Sequence, residues 1–305
     1  MTRTITFIAL IFLHITCLSA QEDVVQSDTT STASSEPVVT QQYLDSIDAS
    51  YTYRTGPVPI AGVATLTLPP TYKFLDAAQS KQVMVDLWGN PPSVAEDVIG
   101  MIFPANAGVY DDGFVFSIEY DSLGHVSDAD ADGIDYTVML KDMMKENSWE
   151  EIQRAAEGYD PLVLMGWAAP PHYDNAHKAL HWAQELDRMD SSTHVLNYNI
   201  RILGRRGMLL LNAMGTMDHL DSVKTAIPTL LDMIAFDDGN RYDQFDAATD
   251  KVADWSIGGL IDGKLTQKID GMLRVMKIAG IAALVLLVLI VVVVIMVVRR
   301  KGRAS

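Results

Sequence analysis

The chain has 305 residues, a formal net charge of −16, 49% hydrophobic residues and a single cysteine, Cys17. An acidic excess of this size repels phosphate backbones and anionic headgroups, so nucleic acid is excluded as a partner. A lone thiol excludes disulfides and thiolate metal clusters, and stability must come from an ordinary core.

Residues 1–20 open on Arg3, run apolar from Ile5 to Leu18 and close on the small residues Ser19 and Ala20. This is the three-part layout of a cleavable secretory signal, too short to span a bilayer, and cleavage after it would discard Cys17. Residues 21–50 are rich in Ser, Thr, Asp and Glu, with a short helix allowed near 43–50. They bury too little apolar surface to offset their ordering entropy and are expected to be a disordered or weakly helical linker. From 51 to 263 no linker-like break appears, and about 210 residues suit one domain.

Within that domain Ala64, Leu66 and Leu68 alternate with Thr65 and Thr67 and stop at Pro69-Pro70, predicting a strand buried on one face. Asp76 with Gln79 three places on predicts a capping box. The helix it opens carries Val83, Met84, Leu87 and Trp88 on one side and ends at Gly89-Asn90-Pro91-Pro92. Strands are predicted at 98–103 and at 113–120, the latter with Phe114, Phe116, Ile118 and Tyr120 on one face. A second helix is predicted over 134–157, with Val138, Met143, Trp149, Ile152 and Ala156 as its apolar side. Apolar stretches follow at 162–167 and 178–185. Residues 195–203 and 208–214 are predicted to pair as a hairpin across Gly204-Arg205-Arg206-Gly207. A third helix over 218–234 and a fourth from about 249 complete the set. Strands come in blocks and do not alternate regularly with helices, which predicts an α+β fold of mixed sheet and helices.

Residues 264–277 form a juxtamembrane segment, and 278–298 hold no charged or strongly polar side chain. As a helix the latter would extend about 31 Å, the thickness of a hydrocarbon core. Residues 299–305 then supply Arg299, Arg300, Lys301 and Arg303, a basic tail that the positive-inside rule keeps in the cytoplasm. The two ends together predict a single-pass membrane protein with its domain outside. Between the signal and the basic tail, residues 21–298 hold 18 cations against all 39 acids.

Several phrases then fall in one order: Leu87-Trp88-Gly89-Asn90-Pro91-Pro92, Gly166-Trp167-Ala168-Ala169-Pro170-Pro171-His172-Tyr173-Asp174, Leu196-Asn197-Tyr198-Asn199-Ile200-Arg201 with Leu203-Gly204-Arg205-Arg206-Gly207, and Arg241-Tyr242-Asp243-Gln244-Phe245-Asp246. In these the chain resembles, over 51–263, the bacterial membrane-anchored family catalogued as domain of unknown function 2167. The resemblance implies an inner-membrane protein with a signal peptide, a periplasmic domain and a C-terminal helix. It implies no catalytic residue and no ligand.

Candidate chemistry is sparse. Asp128, Asp130, Asp132 and Gly133 match the first half of an EF-hand calcium loop. The second half fails, with Asp135 at the usually aliphatic eighth position and Met139 where a bidentate Glu belongs. The other reading is an acidic turn that caps the helix starting near 134. No cofactor is expected, calcium being the one ion the loop half-fits. His177 and His181, with His172 and Asp174 nearby, suggest zinc, yet Lys178 stands where a zincin has Glu. No G-x-S-x-G elbow, S-x-x-K, phosphate loop or dinucleotide fingerprint occurs.

Arg201, Arg205 and Arg206 form a cationic cluster in an acidic domain, either an anion or partner site or a set of internal ion pairs. Trp88, Trp167 and Tyr173 either line a groove or pack in core and turns, and the paired prolines after Trp88 and Trp167 suggest two similar rigid turns. The expected function is noncatalytic: an envelope module that binds another envelope protein or a small ligand. The alternative is a tethered hydrolase using carboxylates that sequence alone does not identify.

Overall fold

The computed structural model describes residues 41–156, 161–188 and 193–263. The signal segment, the linker up to residue 40, the juxtamembrane segment, the apolar run and the basic tail lie outside the described residues. The chain divides into two units, one running to His125 and resuming over Asp135–Lys251, the other made of Val126–Ile134 and the stretch from Val252 onward.

The first unit begins with α1 (Gln41–Asp48), followed by β1 (Gly56–Ile60) and β2 (Ala64–Leu68), paired antiparallel. Ala61 and Gly62 both take left-handed backbone in the turn between them. In β2 Ala64, Leu66 and Leu68 are buried, as their alternation with threonine requires. Each leucine so buried contributes roughly 1.5–3 kcal/mol. β3 (Tyr72–Asp76) was not expected; its run Tyr72-Lys73-Phe74-Leu75 lies directly before the helix signal at Asp76.

Asp76 caps α2 (Ala77–Lys81) by accepting the Gln79 amide, but the reciprocal half of the predicted capping box is missing. The Gln79 side chain is engaged with the backbone of Thr52 through both its Oε1 and its Nε2. Residues Gln82–Leu87 wind as a π-helix, with the Trp88 amide bonded to the Val83 carbonyl five residues back.

β4 (Val98–Pro104) and β5 (Val115–Asp121) follow as predicted, and Phe116 and Ile118 are fully buried. After β6 (His125–Ser127) comes α3 (Tyr136–Ala156), whose first amides, those of Thr137 and Val138, are accepted by Asp135. Its predicted apolar side is buried only in part. Val138 and Ile152 are exposed while Met143 is buried. Asn147 and Glu151 fasten the helix instead, bonding the backbone of Leu162 and Leu164.

β7 (Val163–Asp174), β8 (Ala179–Asp187), β9 (Val195–Leu203) and β10 (Met208–Thr216) form consecutive antiparallel pairs. Pro170-Pro171 is therefore part of a strand and not a turn like Pro91-Pro92. β7 absorbs it at the sheet edge, where its register slips three times and where a missing amide hydrogen breaks no ladder. The β9–β10 hairpin closes as predicted. Gly207 is required there, since a Cβ would lie 2.2 Å from the Asp121 carbonyl.

The seven-stranded sheet has the order β3-β4-β5-β10-β9-β8-β7. α4 (Leu220–Met233) and β11 (Ile234–Phe236) complete the first unit, β11 joining β1 and β2 in a three-stranded sheet. Val223, Ile227, Leu230 and Leu231 of α4 share one core with Val58 and Leu66 and with Ile102, Ile118, Ile200 and Leu211 of the large sheet. A second cluster, Leu75, Val83, Met84, Met101, Phe103 and Val109, lies around β3 and β4.

In the second unit β6 pairs with β12 (Val252–Ser256), which leads into α5 (Ile257–Asp262). The fourth helix thus starts later than predicted, behind a strand. The fold is α+β, a mixture of sheets and helices. Among the described residues no helix is long and apolar enough to cross a membrane.

Candidate functional site

Paired residues on adjacent strands point to the same face, so the register defines rows of side chains across the large sheet. One face is apolar: Ile118, Leu211 and Ile200 stand side by side and are fully buried. The alternate residues build a polar face. Its first row is Ser117, Asn212, Asn199 and Trp182. A second runs Val115, Met214, Asn197, Gln184 and Trp167, and a third Glu119, Leu210, Arg201, Leu180 and Tyr173.

The amides on this face, Gln184, Asn197 and Asn199 buried and Asn212 half-buried, are bonded to one another. Asn197 Nδ2 donates to Gln184 Oε1 at 3.1 Å, and Asn212 Nδ2 donates to Asn197 Oδ1 at 2.6 Å, Asn199 Oδ1 at 3.2 Å and the Tyr198 carbonyl at 3.3 Å. Three acceptors around Nδ2 fix the orientation of the Asn212 amide, because a flip would set oxygen against oxygen. Its Oδ1 is then buried with no partner, and so is the indole Nε1 of Trp182. An unpaired buried polar atom costs about 1–3 kcal/mol. Here a donor and an acceptor stand open on one row, with Asn199 between them.

Arg201 lies over the Trp182 ring at 5.2 Å and donates to the Ile200 carbonyl and to Asn199 Oδ1. It makes no ion pair among the described residues, although the domain is acidic. Loss of water lowers its pKa to about 10, with Glu119 and Asp121 pulling the other way. Glu119 shares the row of Arg201. Burial raises its carboxyl to about 7; Arg201 opposes that rise, and Asp97 and Asp121 add to it. Beside Asn212 opens a cleft of about 30 Å3, room for one or two waters, lined by Met84, Trp88, Met101, Ser117 and Met214. Trp88 is held there by a bond from its Nε1 to the Val109 carbonyl.

Of the residues singled out in sequence, Arg201, Trp167 and Tyr173 fall in rows of the polar face, and Trp88 lines the cleft beside Asn212. Trp167 donates its indole hydrogen to the Tyr136 carbonyl. Arg205 and Arg206 do not belong to the group. Both donate from Nε to Asp250, at 2.6 and 3.0 Å, and their carboxylate partner is almost wholly covered. The predicted three-arginine cluster is therefore split: strand alternation aims Arg201 across the sheet, whereas the hairpin turn aims the other two at an internal ion pair.

The acidic loop also divides. Asp130 accepts the amides of Ile257 and Gly258 at the start of α5, while Asp135, not the loop, caps α3. Asp132 is exposed and Asp128 half-buried. Among the described residues no three His, Cys, Asp or Glu side chains converge as a metal site. The histidines separate as well. His177 sits in the β7–β8 turn between Asp174 and Asp232, while His181 faces His172 and the Tyr198 hydroxyl and is lowered to about 4 by burial and by His172.

Sequence reading passed over Gln184, Asn197, Asn199, Asn212, Ser117 and Glu119. A signal was present: asparagine is poorly suited to strands, yet it recurs at alternate positions in β9 and interrupts the apolar run of β10.

In structural comparison the chain is similar to cyanobacterial PsbP (CyanoP) from Synechocystis sp. PCC 6803, at 11% identity and a TM-score of 0.34, over 68% of this chain and 99% of that one. It is also similar to a mutant of the protein Mog1, at 9% identity and a TM-score of 0.33, over 60% of this chain and 95% of that one. Neither likeness is strong enough to bear on function. No curated protein matches the chain by sequence. The family described as Protein of unknown function (DUF2167) matches residues 52–298, a span that includes every residue of the polar face, and the chain belongs to that family.

Proposed function

We propose that this protein is a noncatalytic binding module, tethered to the inner membrane through residues 278–298 with its domain in the periplasm. On the polar face of the large sheet it takes a small ligand or a segment of another envelope protein. The observation that carries the binding reading is a pair of buried polar atoms without a protein partner, Trp182 Nε1 and Asn212 Oδ1, near an arginine that makes no ion pair among the described residues. Amide side chains neither gain nor lose protons near neutral pH, so a face built from them holds a ligand without attacking it. Supporting the tether are the uncharged run and the basic tail, and the family match extends to residue 298, through the end of that run. No cofactor is assigned to the face.

Protease added to spheroplasts should degrade the domain while the protein stays in the membrane pellet. Recovery of full-length protein in the soluble fraction, or a domain shielded from protease, would overturn the tether. A second reading, a tethered hydrolase, is favoured by one observation: a Glu119 carboxyl near neutral pKa suits acid or base work. Turnover abolished by Glu119→Gln would establish it over the binding module.

A further inference from the structure

The apolar row of the large sheet ends in two histidines. Strand register carries the row from Ile118, Leu211 and Ile200 to His181 on β8 and then to His172 on β7, the edge strand. The three aliphatic residues are fully buried, whereas His181 is half-buried and His172 exposed, so the row runs from core to solvent. An imidazole nitrogen stands about 2.0–2.1 Å from zinc and its ring centre about 1.1 Å further back, which sets two rings on one tetrahedral ion about 5.2 Å apart. The ring centres of His172 and His181 are 5.1 Å apart, with their planes at 71°.

The ring nitrogens are disposed as such a site needs. His181 Nδ1 lies 3.0 Å from the hydroxyl of buried Tyr198, a contact that orients a ligating imidazole and leaves Nε2 for the metal. That Nε2 makes no hydrogen bond among the described residues and is not closed off from solvent. The exposed His172 ring is held by no hydrogen bond among the described residues and can turn toward it. Burial, and after it His172, lower His181 to about 4 against the pull of Asp174, so at neutral pH it offers a lone pair and no proton has to leave. His177 is not available, its Nδ1 being on Asp174 at 2.7 Å and its Nε2 on Asp232 at 3.1 Å. Asp174 is in turn committed to His177 and to the amides of Ala176 and His177.

We propose that His172 and His181 bind one divalent transition-metal ion at the sheet edge, zinc being the ion whose geometry the ring spacing matches, with water completing its shell. Two neutral imidazoles favour zinc, nickel and copper over calcium and magnesium, which take oxygen ligands. The acidic domain raises the concentration of cations around it. No third His, Cys, Asp or Glu converges there among the described residues. Two protein ligands hold an ion less tightly than the three of a catalytic zinc or the four of a structural one, so this ion exchanges and the fold does not depend on it. The site stands apart from the polar face and does not require that face to bind anything.

The test titrates zinc chloride calorimetrically into the full chain in detergent micelles, prepared without a histidine tag. The expected result is saturable binding of one ion per chain, with a dissociation constant on the order of 10 μM. His172→Gln, at an exposed position, should leave the melting curve of the metal-free protein in place and weaken binding at least tenfold. Tyr198→Phe, which removes the partner of His181 Nδ1, should weaken it about tenfold. His177→Gln should bind zinc as wild type does. Absence of saturable heat, or a His172→Gln variant that binds like wild type, overturns the proposal. Binding lost in His177→Gln and kept in His172→Gln overturns it equally, by placing the ion in the β7–β8 turn. Magnesium chloride should give no saturable heat, and a response equal to that of zinc would show only the attraction of an acidic surface and overturn the site.

Discussion

The two faces of the large sheet are built from the same strands, often from neighbouring residues, and they answer to different demands. On one face Ile118, Leu211 and Ile200 pack with Leu66, Ile227 and Leu230 into a core that needs nothing further. On the other, one residue along each strand, Ser117, Asn212 and Asn199 form a bonded amide row that leaves a donor and an acceptor open. A fold maximising stability would have made both faces alike, since buried polar groups with unmet valences are destabilising relative to apolar ones of the same shape. The difference singles out the second face as the place where a role beyond holding the domain together is to be tested.

The largest effect expected from this contrast lies in a pair of core substitutions. Ile200→Ala should destabilise the domain by about 2–5 kcal/mol in urea unfolding, through lost transfer energy and the cavity left behind. Asn212→Leu, on the adjacent strand but the opposite face, should change stability by less than about 1 kcal/mol, because it removes an unpaired acceptor and strands none of its neighbours. A loss of comparable size in both variants would erase the distinction between the faces.

Next in size is Glu119→Gln. The folded carboxyl is raised to about 7 from an ordinary 4.5, so the folded state holds a proton across that window and the unfolded chain does not. Stability conferred by the neutral acid is therefore greatest at low pH, falls as pH rises from 4.5 to 7, and levels off above. The variant should gain on the order of 2 kcal/mol over wild type at pH 8 and nothing at pH 4. Equal melting temperatures at pH 8 would refute the burial of that carboxyl.

Replacing Arg205 and Arg206 together by Gln should lower the melting temperature at neutral pH, whereas Arg201→Gln should leave it nearly unchanged. The reason is that Asp250, held well below the usual carboxylate range first by Arg205 and also by Arg206, loses both partners. The deficit should shrink as pH falls through the depressed value of Asp250 and its charge is lost. Smaller still is His177→Gln. The Asp174 hydrogen bond raises His177, burial opposes the rise, and Asp232 adds to it. Its contribution is present below the ordinary histidine value of 6.5 and disappears as pH rises through the folded one. Melting curves should differ from wild type at pH 5.5 and coincide at pH 9. The smallest expected effect is that of millimolar calcium: with Asp130 engaged by the amides of α5, the melting curve should not move, and a clear rise would restore the loop as an ion site.

Much of the fold was legible because its signals are local. The strict alternation of 64–68, the aromatic face of β5 and the hairpin of β9 and β10 each depend on residues a few places apart, and each is where sequence puts it. β1 hid behind Pro57 and Pro59, and the π-turn of Gln82–Leu87 obeys a period that an α-helical reading does not test. In α3 the apolar residues chosen by periodicity include Val138 and Ile152, which face outward, while polar Asn147 and Glu151 make the fastening contacts. The candidate site was legible by halves. Arg201, Trp88, Trp167 and Tyr173 are residue types suited to binding, whereas Arg205 and Arg206 adjoin Arg201 only along the chain and turn to Asp250 in space.

By itself the sequence determines what depends on composition and on short-range order: an acidic surface, a signal-like start, an uncharged run of bilayer length, and the alternation that sends asparagines and isoleucines of one strand to opposite sides. Only the tertiary structure decides that the asparagine side is buried as well. Ser117 reaches the Asn212 carbonyl across 95 positions of chain, and Asn212 meets Asn197 and Asn199 from another strand. Whether a polar side chain stands in water or in a closed network is a property of its neighbours in space, and those come from parts of the chain that no local pattern connects.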